Sequence, residues 1–222
     1  MWKSFQLRAH GAACIALFAW ASMSVMAIEE PSFKIVGKSG RIELREYSPY
    51  LVAETRVKAE FAEAGNLAFR PLFSYISGKN QRQENIDMTA PVSQFAERDA
   101  GEKIAMTAPV TQVPAMDSEG NFVIGFTMPA RYNRDNIPRP TDARVSVREV
   151  PSRTMAVLAY SGTWSMARYA EHQAALKEEV VKAGWVERGA IEFARYDPPM
   201  MPWFLRRNEV MVEVEPRQIS PK

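Results

Sequence analysis

The sequence predicts an α+β fold: a distorted antiparallel β-barrel built from two strand–helix–strand pseudo-repeats, with two flanking helices. Three observations carry this expectation. Several segments alternate apolar and polar residues at a period of two, the mark of half-buried strands. Two longer segments repeat apolar residues at helical spacing, and the order strand–strand–helix–strand–strand occurs twice, over about 33–115 and 121–215. An internal duplication is the economical reading, because each half has an apolar sheet face that needs the other half to cover it.

The first half opens with RIELREYSPYLVAETRV, two strands around Ser48-Pro49. EFAEAGNLAFRPLFSYISGKN follows as a helix, with Phe61, Ala64, Ala68, Leu72 and Tyr75 on one stripe and Gly78 as its stop. Pro71 should bend or break it, since proline lacks the N–H that an interior turn requires. IDMTAPV (86–92) and IAMTAPV (104–110) come next, each strictly alternating and each ending on a proline. Ile104, Met106, Ala108 and Val110 are expected on one side and Thr107 on the other, with Met88 and Thr89 repeating the arrangement. The two copies read as a hairpin closed through the polar stretch around Gly101, its prolines at a sheet edge. NFVIGFTMPA then alternates Phe122, Ile124, Phe126 and Met128.

After the polar loop RYNRDNIPRPTDA the pattern begins again. VSVREVPSRTMAVLAYSG echoes the opening strand pair, and TWSMARYAEHQAALKEEVVKAGW is a second helix that Gly184 can end. IEFARYD and EVMVEV are the closing strands, separated by the proline-rich PPMMPWFLRRN.

Residues 1–27 stand outside this fold. Lys3 and Arg8 precede the apolar run 11–26, and Val25-Met26-Ala27 resembles a small-residue cleavage site. That pattern is a secretory signal peptide, which implies a periplasmic or secreted protein. A retained anchor is the competing reading, although the run is short for spanning a bilayer. With Lys3 and Arg8 removed, the 28 Lys plus Arg fall to 26 against 26 Asp plus Glu, so the mature chain is formally neutral. A neutral surface has no general field for polyphosphate, which argues against nucleic-acid partners. Cys14, the only cysteine, lies in the same segment, so disulfides and thiol chemistry are excluded after cleavage.

Candidate ligand contacts gather on the first helix. Phe69, Leu72, Phe73 and Ile76 form a second apolar face beside the Phe61–Tyr75 stripe, with Arg70 and Lys79 at its margin. A helix apolar on two sides is wholly buried or offers one side to a guest. A planar macrocycle fits the second case, its carboxylates met by Arg70 or Lys79; in the first case PPMMPWF covers the face. Met106 is a core or contact residue first and a thioether ligand second. His172, the only histidine after residue 27, borders the apolar stripe of the second helix and is the one candidate imidazole for a metal. Neither MTAPV threonine has a base placed to activate it, so both copies read as structural.

YISGKN followed by IDMTAPV, the second MTAPV, MPARYNRDNIPRP and the closing PPMMPWFLRRNEVMVEV resemble the SOUL haem-binding protein family, from about Lys34 to Val214. The resemblance implies a single domain over 28–222 and binding of haem or a related tetrapyrrole in an apolar groove beside a helix, without catalytic apparatus. Haem-ligating relatives carry a histidine just before the tyrosine of the strand matching RIELREYSPY, where this chain has Glu46. A carboxylate is a poor replacement for imidazole on haem iron, so the family's histidine-ligated mode is not expected. Glu46 shares a strand side with Ile42 and Leu44, facing the core or its rim, and otherwise reads as a paired strand-end charge like Glu149. The duplicated strand–helix pattern also looks similar to bacterial effector-binding domains, which receive small aromatic, often cationic, ligands; an acid such as Glu46 inside a groove favours that alternative. No nucleophile–base pair or metal cluster is legible, so an enzyme is not expected.

Overall fold

A computed structural model describes residues 28–82, 101–115 and 120–217. The leader 1–27 and the first MTAPV copy (88–92), with Met88 and Thr89, lie outside the described residues. In chain order the elements are β1 (Phe33–Ser39), β2 (Ile42–Tyr47), β3 (Tyr50–Lys58), α1 (Phe61–Ile76), β4 (Asn80–Gln81), β5 (Val110–Pro114), β6 (Asn121–Thr127), β7 (Arg139–Pro140), β8 (Val145–Val150) and β9 (Arg153–Tyr160). They continue with α2 (Met166–Lys182), β10 (Trp185–Arg195), a 3-10 turn (Trp203–Leu205) and β11 (Asn208–Pro216).

Nine strands form one antiparallel sheet in the order β1-β2-β9-β11-β10-β5-β6-β3-β8, while β4 and β7 make a short separate ladder. The class is α+β as expected, but the sheet is open rather than a closed barrel. Among the described residues, β1 pairs only with β2, and β8 only with β3 in this sheet. Closure would serve to hide a single inner face, whereas here both faces of the sheet carry apolar clusters. Strand β1, like the two-residue β4 and β7, is an element the sequence reading missed. It is an exposed edge bulged between Ile35 and Gly37, so no alternating burial marks its residues. Without β1, exchanging β2 with β8, β3 with β9, β5 with β10 and β6 with β11 reads the strand order backwards onto itself.

Both helices pack on one face. Phe61 of α1 stacks on Tyr169 of α2, ring centroids 5.0 Å apart, and both rings touch Phe193 of β10. Phe122, Ile124, Phe126 and Met128 all enter this core, as their alternation predicts. Helix α2 starts on Ser165, whose hydroxyl accepts from the Arg168 N–H at 3.3 Å. The two helices are followed by glycines in the left-handed region, Gly78 (φ +107°) and Gly184 (φ +76°). Helix α1 continues through Pro71, so the proline does not break it. The missing N–H strips a partner only from the Leu67 carbonyl, and Leu67 is exposed to water.

The opposite, helix-free face has a smaller cluster of Tyr47, Met155, Val157, Ala194 and Met211, with Phe33, Tyr50 and Tyr196 packed against it. Buried ion pairs stand beside it. Glu209, fully buried, accepts from Arg45 at 3.1 Å, from Arg207 at 2.9 Å and from the Tyr196 hydroxyl at 2.6 Å. Arg153 reaches Glu192 at 2.5 Å and Tyr50 at 2.9 Å.

The second MTAPV copy departs from its alternation. Residues 104–109 are not a strand, and pairing begins at Val110. Met106 is exposed, whereas Thr107 is buried and donates to the Thr127 carbonyl. The hydroxyl supplies the link to β6 that backbone pairing does not make here, so the threonine turns inward and the methionine outward.

Candidate functional site

The outer flank of α1 is where sequence reasoning set the ligand contacts, and it divides into two sets. Leu72 and Ile76 belong to the core beneath the helix, together with Tyr75, so they are not part of an uncovered face. Leu72 is itself a member of the Phe61–Tyr75 stripe and Ile76 borders it, and the way the helix rolls onto the sheet takes both under. Phe69 and Phe73 stay outside, 43% and 45% exposed. One turn apart, their rings stack at 5.3 Å with 14° between planes. Phe69 also meets the edge of Phe126 at 5.8 Å, which fixes the pair to β6. The two stacked rings present a half-exposed apolar surface on the outer flank of α1.

Arg70 and Lys79 are both exposed at the margin of this surface, and neither is ion-paired to another described residue. Asn80 stitches the far end of α1 to the chain that returns from 101. Its side-chain amide donates to Tyr75 O and Glu102 O and accepts from Glu102 N, each at 2.8 Å. Ile104 N then donates to Ile76 O at 2.8 Å. Met106, 47% exposed, therefore stands between two fixed points, Ile104 on α1 and Thr107 on β6. Asn80 escaped sequence reasoning because a single polar residue after a helix stop carries no periodic signal.

His172 is elsewhere. It is buried on α2, its ring against Tyr160 at 3.8 Å, with neither nitrogen partnered. Burial holds the imidazole below its ordinary value, so it is neutral. Among the described residues no three His, Cys, Asp or Glu side chains gather as a metal cluster. Glu46 is exposed at the end of β2 rather than turned inward, and Glu149 pairs with Arg134 at 2.7 Å.

A concavity lies on the helix-free face, where the two halves of the sheet meet. Strands β5 and β10 pair over only three positions, Val110–Gln112 with Phe193–Arg195. Beyond these, the bulge between Arg188 and Glu192 turns β10 away, and a cleft of about 370 Å³ opens beside Arg153 and Glu192. Sequence reading gave no signal for it, because it arises from a break in strand register between distant segments.

Comparison with known proteins follows from this geometry. A family model described as SOUL heme-binding protein matches residues 28–213. Human "Heme-binding protein 2" is 26% identical over 205 residues, spanning 86% of this chain and 93% of that protein. "Heme-binding protein 1" of Xenopus tropicalis is 28% identical over 190 residues, spanning 82% and 90%. Among solved structures, the crystal structure of the EcmrR C-terminal domain is similar with a TM-score of 0.56 at 10% identity, covering 83% of this chain and 98% of that one. A hydrolase from Listeria innocua is similar with a TM-score of 0.50 at 7% identity, covering 81% and 94%. These two likenesses speak for the fold alone.

Proposed function

The chain belongs to the SOUL heme-binding protein family, and from that premise we propose that it binds haem or a related tetrapyrrole, without catalysing a reaction, on the outer flank of α1. The observation that carries this reading is the pair of parallel, half-exposed rings of Phe69 and Phe73. A macrocycle lies against them, Met106 lines one side, and Arg70 or Lys79 meets the propionates. Leu72 and Ile76 support these rings from beneath. Iron is not ligated in the family's histidine manner, because Glu46 stands at the matching place and His172 is buried on the other helix.

The protein acts as a carrier, buffer or scavenger outside the cytoplasm. The charged start, apolar run and small-residue site of residues 1–27 support export to the periplasm or beyond. The palindromic strand order supports an origin by internal duplication, with halves at about 33–115 and 121–215.

Haemin titrated into residues 28–222 tests the reading. A Soret shift at micromolar haemin is expected, weakened at least about tenfold by Phe73→Asp, a change of about 1.4 kcal/mol. No shift with folded protein overturns it. A second reading, a module for small aromatic ligands including cationic ones, is favoured by the cleft beside Arg153 and Glu192. Thermal stabilisation by cationic dyes and not by porphyrins selects that reading instead.

A further inference from the structure

Of residues 105–109 only Ala105 and Met106 face outward, while Thr107, Ala108 and Pro109 are buried. The backbone here is fixed at both ends to the elements that carry Phe69 and Phe73. Ile104 N donates to Ile76 O at 2.8 Å, three residues beyond Phe73 on α1. Val110 pairs with Phe126, the ring that Phe69 meets edge-on. Between these points Thr107 donates to the carbonyl of Thr127, the residue after Phe126 on β6, and Ala108 N donates to Glu29 O at 2.9 Å. The segment therefore runs along the β6 side of α1, the side that Phe69 takes. Met106 is its outward thioether, bordering the Phe69–Phe73 wall.

The donors at this end of α1 are few. Haem iron takes its protein ligands from His, Cys, Met and Tyr. His172 is the only histidine after residue 27, and its ring is packed on Tyr160 under α2. The only cysteine is Cys14. Tyr75 is buried and donates to Pro138 O at 2.8 Å, and Tyr132 is buried with its hydroxyl donating to Glu102 at 2.7 Å. Burial pushes both phenols up, away from the phenolate that iron requires. The other exposed thioethers are Met166, at the start of α2, and Met200, in the loop before β11. Neither segment has a hydrogen bond to α1 or β6 among the described residues.

We infer that Met106 is the axial iron ligand of this protein, its Sδ meeting one face of a haem whose other face lies on Phe69 and Phe73. This deepens the tetrapyrrole reading and rests on it. The phenyl rings bring no lone pair, so the protein supplies one axial donor and not two. A thioether is neutral and soft, and it holds ferrous iron better than ferric. The site is therefore selective for reduced haem, and by linkage the bound iron is easier to reduce than it would be without the sulfur. An iron-free porphyrin gains nothing from Met106 beyond apolar contact.

Residues 28–222, the span that carries every described element, are loaded with haemin and compared with Met106→Leu, which keeps the apolar volume and removes the donor. Both proteins are expected to show the Soret shift and to bind iron-free protoporphyrin equally. The preference for ferrous over ferric haem falls about tenfold in Met106→Leu, read as a midpoint potential lower by ~59 mV. Met106→His puts an imidazole at the same point, and an iron–imidazole stretch is expected in the resonance Raman spectrum of the dithionite-reduced protein. Equal potentials in wild type and Met106→Leu overturn the inference and leave the tetrapyrrole reading standing. So does a potential that falls in Met166→Leu or Met200→Leu instead, or a Met106→His protein whose bound iron shows no imidazole. No haemin response from folded wild type removes the reading and the inference together.

Discussion

The imidazole of His172 lies against the ring of Tyr160 with centroids 3.8 Å apart, and neither imidazole nitrogen nor the Tyr160 hydroxyl has a hydrogen-bond partner. Arg168 and Arg41 oppose a charge on this imidazole and Glu171 favours one, but burial is the largest influence and it disfavours the charged form. The native state therefore keeps His172 neutral below the ordinary value of 6.5, while the unfolded chain takes up a proton there. Stability falls as pH falls from 6.5 towards the depressed native value, at up to about 1.4 kcal/mol per pH unit. Urea unfolding of wild type and His172→Phe between pH 7.5 and 5 checks this; the variant loses that part of the slope.

Neighbouring positions on α1 should separate stability from binding. Leu72 is fully buried, so Leu72→Ala leaves a cavity and costs about 2–5 kcal/mol in chemical denaturation. Phe73→Ala removes a half-exposed ring and costs less than half as much, yet it loses the haemin response. If both variants shift the melt equally, the Phe73 ring is core and the flank of α1 is not a docking wall.

Removing one partner of the buried cluster at Glu209 should be severe. Glu209→Gln removes the buried charge that Arg45, Arg207 and the Tyr196 hydroxyl share, for a loss of about 3–5 kcal/mol. Glu43 still holds the other edge of the Arg45 guanidinium at 2.8 Å, so the loss belongs to the Glu209 side alone. Denaturant midpoints at pH 7 measure it.

Asn80→Ala should loosen the wall without touching it. Three hydrogen bonds join Asn80 to Tyr75 and Glu102, and their loss costs about 1–3 kcal/mol. Amide exchange over 101–107 is expected to quicken more than exchange in β9 or β11.

Local chemistry made most of the elements readable in advance. Alternation at Phe122, Ile124, Phe126 and Met128 and the helical stripe from Phe61 to Tyr75 each record a single face pressed on one core. The site was readable only in part for the same reason. Phe69 and Phe73 versus Leu72 and Ile76 differ by how the helix rolls onto the sheet, a tertiary choice that spacing leaves open. Met106 and Thr107 exchanged sides because one hydroxyl found a carbonyl on β6. The open sheet, the β5–β10 cleft and β1 depend on partners distant in sequence, where no local pattern reports.

Strand β11 is the last of the described elements in chain order, yet it occupies a central place in the sheet, between β9 and β10. A nascent chain lacking 208–216 has a gap where its middle rung belongs, and the flanking strands have nothing to zip onto. The sheet therefore closes its middle only when 208–216 is in place, and closure is slow because the required pairings join segments distant in sequence.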